Sequence, residues 1–195
     1  MNKLSFGLLS FLLTESQSGY DLKLRLNQFW HTNHSAIYPL LSELEEKQYV
    51  TYSLIGQSTK PDKKIYNITE QGKEVLKEWI VAPNTESIPK DEMMLKIYCI
   101  QGLDAGTVDK LLTETEERYR KLLEKYTESL EKIKANVNNN FDSYNPQLFG
   151  SYLLIQKVIC DSNTGILWCK WIRQLYGKKN AIDWIQDSFT DYSEK

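Results

Sequence analysis

The sequence predicts a mainly α-helical chain with one small β-hairpin, divided into a compact first part and a second part built on two long helices. Three observations carry this expectation. Short segments with helical apolar spacing follow one another through residues 4–50. Two β-rich runs then flank a basic, turn-rich loop at 56–63. Beyond a breaker-rich stretch at 82–89, long segments carry apolar residues at heptad-like intervals.

The first segment, residues 4–13, places Leu4, Leu8, Leu9, Phe11, Leu12 and Leu13 on more than one face, which predicts a largely buried helix. Gly19 opens a second helix whose apolar surface comes from Tyr20, Leu22, Leu24, Leu26 and Phe29. In the third, Ile37, Leu40, Leu41, Leu44 and Val50 form the core stripe, while His34, Ser35, Tyr38, Ser42 and Lys47 lie off it. Asn33 or His34 is the candidate N-cap, and Pro39 limits how early that helix starts. Open amides at such an N-terminus suit a phosphate oxygen. Strands follow at 49–55 and 64–68, and Thr69 caps a helix with Val75, Leu76, Trp79 and Ile80 on its apolar side.

Helix, helix, third helix, β-hairpin, helix is the order of a winged helix-turn-helix, with the third helix as the recognition helix and the 56–63 loop as the wing. The second part starts with a helix at 91–101 bearing Met93, Met94, Leu95, Ile97, Tyr98 and Ile100. A segment free of Gly and Pro then runs over 107–137, where Leu112, Thr115, Tyr119, Leu122, Tyr126, Leu130, Ile133 and Val137 recur at intervals of 3, 4, 3, 4, 4, 3 and 4. Residues 136–146 break it, and a last helix at 147–176 carries Leu148, Tyr152, Ile155, Ile159, Ile166, Cys169, Ile172 and Tyr176, with Gly165 as a weak point or a place of close approach. The two long helices are expected to form an antiparallel hairpin. With Glu, Lys and Arg on its other faces, a helix such as 107–137 is unstable alone and wants partners.

Three spaced motifs carry a family resemblance: Gly19-Tyr20-Asp21-Leu22, Ser35-Ala36-Ile37-Tyr38-Pro39-Leu40-Leu41, and Tyr66-Asn67-Ile68-Thr69-Glu70-Gln71-Gly72. In this order they resemble the PadR family of bacterial transcriptional regulators over residues 4–80. Residues 90–177, beginning Asp91-Glu92-Met93-Met94-Leu95-Lys96, are similar at the level of pattern to the longer C-terminal domain of that family. The resemblance implies domains at 1–82 (DNA-binding) and 90–177 (helical, dimerising, with an effector role), a linker at 83–89 and a tail at 178–195. It also implies a homodimer in which helices of two chains pack around each other. Where the family's wing carries a Gly-Arg-Pro-like turn, this chain reads Thr59-Lys60-Pro61. Lysine retains a phosphate contact there but not the bidentate base reading of arginine.

Composition fits this organisation. The chain has 195 residues and 41% hydrophobic content, no apolar run of membrane-spanning length, and an N-terminus that enters a structural helix directly, so a cytoplasmic location is expected. Cys99, Cys160 and Cys169 are odd in number and scattered, which suits reduced thiols. Over residues 1–80, nine Lys plus Arg balance nine Asp plus Glu. The basic signal is local, with Lys60, Lys63 and Lys64 in the wing and Lys23 and Arg25 on the second helix. Such modest phosphate attraction calls for a dimer that doubles the contacts.

Candidate DNA-binding residues are therefore His34, Ser35, Tyr38, Lys60, Lys63 and Lys64. The competing assignments are a core-edge aromatic for Tyr38, caps for His34 and Ser35, and solvated side chains for the lysines; Tyr20 and Tyr66 are assigned to packing. Candidate dimerisation residues are Leu112, Tyr119, Leu122, Tyr126, Leu130 and Ile133. Related regulators respond to planar aromatic compounds, so Trp168 and Trp171 are candidates for binding a small aromatic effector, the competing assignment being core packing. His31 and His34 lack a third ligand, Glu45 and Glu46 diverge on a helix, and neither a Gly-x-Ser-x-Gly context nor a phosphate-binding glycine loop occurs, so neither an enzyme nor a cofactor or metal is expected. The expected mechanism is a dimer bound to double-stranded DNA at a pseudo-palindromic promoter site, blocking transcription. The alternative is a winged-helix adaptor that binds protein instead, for which the neutral head is the best argument.

Overall fold

The computed structural model describes residues 1–27, 30, 34–56, 63–83, 91–138, 146–178 and 188–190. Its elements are α1 (Lys3–Leu12), β1 (Gln17–Ser18), α2 (Gly19–Leu26), α3 (His34–Glu46), β2 (Val50–Ile55), β3 (Lys63–Ile68), α4 (Glu70–Val81), α5 (Glu92–Tyr98), a 3-10 turn at Cys99–Gly102, α6 (Ala105–Asn138) and α7 (Pro146–Tyr176). They form two compact units, Met1–Ser87 and Ile88–Lys195.

In the first unit α1, α2 and α4 each start on a polar cap. Asn2 accepts from the Leu4 amide at 3.0 Å and begins α1, which buries Phe6, Leu8, Leu9 and Leu12. Ser18 accepts from the Asp21 amide at 3.2 Å and begins α2, which buries Leu22 and Leu26. From α3 come Ile37, Leu41 and Leu44, all fully buried in the same core. Pro39 lies inside α3 on its exposed face, where the amide it lacks would have reached the Ser35 carbonyl.

The end of α3 fixes the entry into the sheet. Gln48 adopts φ 59°, its amide donates to the Glu45 carbonyl at 2.9 Å, and the Tyr49 amide reaches back to the Leu44 carbonyl at 2.9 Å. This is a Schellman turn with glutamine where glycine is usual. The Thr69-Glu70-Gln71-Gly72 motif closes against it. Thr69 Oγ1 donates to the Gln48 carbonyl at 2.8 Å and accepts from the Gly72 amide at 3.0 Å, and the Thr69 amide donates to the Tyr49 carbonyl at 3.0 Å. A Cβ on Gly72 would stand 2.2 Å from the Tyr49 carbonyl oxygen, so only glycine fits.

The sheet has three strands in the order β1-β3-β2. The expected hairpin is β2 with β3, in antiparallel register from Val50↔Ile68 to Ile55↔Lys63. The third strand, β1, was not expected. Its Gln17 and Ser18 pair with Tyr66 and Ile65 and are buried, but two polar residues carry no alternation to read. The tip of the expected wing, residues 57–62 with Lys60, lies outside the described residues, as do 84–89 of the expected linker.

In the second unit, Asp91 caps α5 through the Met93 amide at 2.8 Å, and Asp104 accepts from the Thr107 amide at 3.0 Å at the start of α6. Those Thr107 hydrogen bonds hold the Asp104 carboxyl below its ordinary range. Helices α6 and α7 run antiparallel. Arg173 near the end of α7 reaches back to Asp109 at 2.6 Å, Glu116 at 2.8 Å and Thr113 Oγ1 at 3.0 Å near the start of α6. Gly165 is a place of close approach, since a Cβ there would stand 2.5 Å from the Tyr119 ring.

Met93, Val108, Leu112, Cys169 and Ile172 form the second core, with Tyr119, Trp168, Trp171 and Tyr176 packed around it. Three of the dimerisation candidates pack within this chain. Leu112 is fully buried and Leu130 8% exposed within one chain, and Tyr119 lies against Gly165. The heptad stripe is consumed at these positions by the chain's own hairpin, because antiparallel partners in one chain need the same apolar seam as partners from two. Among the described residues no helix is long and apolar enough to cross a membrane, and no group of three or more His, Cys, Asp or Glu is placed to hold a metal ion. Burial raises the Cys169 thiol pKa, and all three cysteines are free thiols.

Candidate nucleic-acid interface

Helix α3 divides its faces as a recognition helix must. Ile37, Leu41 and Leu44 point into the core, while Tyr38 and Ser42 face outward, Tyr38 with 44% of its surface exposed. Tyr38 is fixed from below by the start of α2. A Cβ on Gly19 would stand 3.0 Å from Tyr38 Cε1 and 3.2 Å from Leu41 Cδ1, so the small residue lets α2 and α3 come together under the ring. Tyr38 is thus both supported by the core edge and open on its outer side. His34 and Ser35 occupy the first turn of α3, but their side chains lie outside the described residues, as do Asn33 and His31.

Strand β3 carries the two described wing lysines, and each meets an acid from a helix of the same unit. Lys63 Nζ lies 3.3 Å from Asp21 Oδ2 at the start of α2. Lys64 Nζ lies 3.5 Å from Glu45 Oε2 on α3 and 3.6 Å from the centroid of the Tyr52 ring on β2. Tyr52 in turn sits 6.0 Å from Tyr66, a residue only 5% exposed that anchors the hairpin in the core. Burial raises the Tyr66 pKa; Lys64 opposes this, and Glu45, Tyr38 and Tyr52 add to it, which places all four within electrostatic reach of one ring. Asp21 is held below the usual carboxylate range, first by a hydrogen bond from Ser18 Oγ at 2.6 Å and then by Lys63.

Three of the six sequence-derived candidates, Tyr38, Lys63 and Lys64, are therefore gathered around the α2–α3 entry and the hairpin. Both lysines are partnered by carboxylates, which the sequence did not indicate. Asp21 and Lys63 are 42 positions apart, and only the fold brings them together. Tyr20, assigned to packing, is 52% exposed, because its position in α2 is off the Leu22–Leu26 stripe; Lys23 Nζ lies 5.8 Å from its ring centroid. Read as motifs, Gly19, Leu22, Ile37, Leu41, Tyr66, Thr69 and Gly72 build the scaffold, and the outward residues between them form the surface.

Trp168 and Trp171 are half-buried against the second core, and Trp171 meets Phe189 edge-on at 5.6 Å. An open depression of about 320 Å3 on α6 is lined by Glu114, Glu117, Arg118, Lys121, Leu122 and Lys125, with neither tryptophan in its wall.

Comparison with known proteins assigns both units. The model of the transcriptional regulator PadR-like family matches residues 8–78, and that of the virulence activator alpha C-term matches residues 89–176. The negative transcriptional regulator PadR of Bacillus subtilis (strain 168) is 32% identical over 184 residues, covering 91% of this chain and 100% of that protein. The crystal structure of Bacillus subtilis PadR in complex with operator DNA is similar with a TM-score of 0.78 at 30% identity, over 89% of this chain and 99% of that one. Its complex with p-coumaric acid is similar with a TM-score of 0.73 at 28% identity, over 90% of this chain and 99% of that one. With its winged helix-turn-helix head and long C-terminal helices, the chain belongs to the PadR-like family of transcriptional regulators.

Proposed function

We propose that this regulator is a repressor that binds a pseudo-palindromic promoter site as a homodimer. Residues 1–82 form the DNA-binding head and 90–177 the dimerising part, with 83–89 joining them and 178–195 as a tail. Two α3 helices enter successive major grooves with His34, Ser35 and Tyr38 facing the duplex. The wings lie on the flanking backbone through Lys60, Lys63 and Lys64. The observation that carries this reading is the outward, core-supported Tyr38 on a helix whose opposite face is fully buried. The similarity to PadR bound to operator DNA supports the partner.

Selection of bound fragments from random duplex DNA at two salt concentrations tests it. The expected result is an enriched inverted repeat whose affinity falls with salt and drops sharply when Lys60, Lys63 and Lys64 are all changed to Gln. Absence of any enriched sequence would remove the reading. A second reading, a winged-helix adaptor that binds protein, is favoured by the balanced charge of residues 1–80 and by the pairing of Lys63 and Lys64 with acids. It predicts that the triple lysine substitution changes no DNA complex.

The p-coumaric acid complex of the similar PadR supports a small aromatic effector for this chain, beside Trp168 and Trp171. Titration of tryptophan fluorescence with planar aromatic acids is expected to quench or shift the emission. A flat response across the series would leave both rings as packing only.

A further inference from the structure

Resting on the DNA-binding reading above, we infer that Asp21 and Glu45 act as built-in competitors of phosphate, occupying the wing lysines and so restraining sequence-independent attachment to DNA. Lys63 and Lys64 are neighbours on β3, yet each is met by a carboxylate from a different helix, at 3.3 Å from α2 and 3.5 Å from α3. Neither acid is needed for the core. Glu45 lies on the half-exposed side of α3, and the cap of α2 is Ser18, whose hydroxyl serves the Asp21 amide whether or not residue 21 is charged.

The geometry makes the restraint releasable. All four side chains keep 37–47% of their surface in solvent, so each pair is weak and salt-screened, and a phosphate oxygen can replace the carboxylate without burying a charge. Lys64 has a second support, the Tyr52 ring 3.6 Å from its ammonium, which holds the lysine against the hairpin when Glu45 gives it up. Binding then exchanges carboxylate for phosphate, and the displaced carboxylates remain close to the duplex as like charges. A head with a net charge of zero over residues 1–80 gains little from phosphate alone, so attachment depends on what α3 meets in the groove.

The test uses the full-length protein, a scrambled-sequence duplex and the fragment selected by wild type, with affinity measured across a salt series. Glu45→Gln is expected to tighten binding to the scrambled duplex about threefold, and to steepen the slope of log affinity against log salt by roughly one. Asp21→Asn is expected to act in the same sense through Lys63. In a Lys64→Gln background, Glu45→Gln is expected to have no effect, which ties the gain to that pair. Unaltered thermal unfolding midpoints identify folded variants. Equal or weaker binding by both variants, with the wild-type slope, overturns the inference while leaving DNA binding intact. If wild type itself holds no duplex at any salt, the regulatory reading falls and this one with it.

Discussion

The two units bury their apolar residues in different ways. In the first, α1, α2, α3 and α4 converge, and Leu8, Leu9, Leu22, Leu26, Ile37, Leu41, Leu44 and Leu76 lose all or nearly all contact with water. In the second, the core of Met93, Val108, Leu112, Cys169 and Ile172 sits where α5 meets the start of α6 and the end of α7. Near the beginning of α7, Phe149, Tyr152 and Leu153 remain exposed, as do Met94, Leu95 and Tyr98 on α5. Helix α6 has a polar side that explains its single buried seam, whereas α7 is apolar around much of its circumference. A four-helix core can close within one chain, while a two-helix hairpin has too few faces to cover such a helix. This difference supports a second copy of the chain as the partner of the second unit, and it can be broken or sharpened by substitution.

The largest effect is expected at Gly72, where the first unit closes on itself. A methyl group there meets the Tyr49 carbonyl, an atom of the backbone that also accepts from the Thr69 amide, so neither side can yield cheaply. Gly72→Ala should cost about 3 kcal/mol, read as a lower urea midpoint for the first unit. A change under about 0.5 kcal/mol would mean that the α3–β2 turn and α4 do not clamp each other.

Next come paired substitutions in the second unit. Leu112→Ala removes a fully buried side chain from the intrachain core and should destabilise by about 3 kcal/mol, to the same extent at every protein concentration. Leu153→Ser, at a position 51% exposed, should leave the isolated chain's packing intact but weaken self-association in sedimentation equilibrium. If Leu153→Ser leaves association unchanged, the exposed start of α7 is not the surface that another copy covers.

The same contrast explains what could be read in advance. Helical periodicity exposed α1, α2, α3, α4, α6 and α7, because each buries a stripe whose spacing is set by its own backbone. It could not separate the seam that α6 turns toward α7 from a seam between chains, since both demand Leu112, Tyr119 and Leu130 in the same register. Strand β1 escaped because its two polar residues owe their burial to β3 rather than to any pattern of their own. At the candidate interface, Tyr38 and the hairpin lysines were legible as off-stripe and basic. Asp21 and Glu45 were not legible as their partners, because ion pairs between distant elements leave no local signature.

A smaller effect is expected where α7 is tied to α6. Arg173 gives hydrogen bonds to Asp109, Glu116 and Thr113, and Glu116 is held below its ordinary carboxylate range chiefly by that arginine, with Arg120 assisting. Because the Glu116 pKa is lowered on folding, its contribution is present above the ordinary value of 4.5 and is lost as pH falls through the folded value. Arg173→Ala should cost about 1–2 kcal/mol at neutral pH. It should also flatten the loss of stability on acidification below about 4.5, relative to wild type. Identical acid profiles for the two proteins would show that the tie contributes nothing measurable.

The smallest expected change is a gain, and it probes how strongly the first unit dictates its own backbone. Gln48 holds φ 59° with an exposed side chain, so the left-handed turn is imposed by what surrounds it: the two Schellman hydrogen bonds on one side and the Thr69 hydroxyl on the other. Gln48→Gly keeps all of those backbone partners and removes the Cβ crowding of the left-handed region, at the expense of a more flexible unfolded chain. Relief should exceed that loss and raise stability by about 0.5–1 kcal/mol, seen as a higher urea midpoint with an unchanged slope. If stability falls instead, the turn is not strained by glutamine, and the closure of the first unit rests on its buried leucines alone.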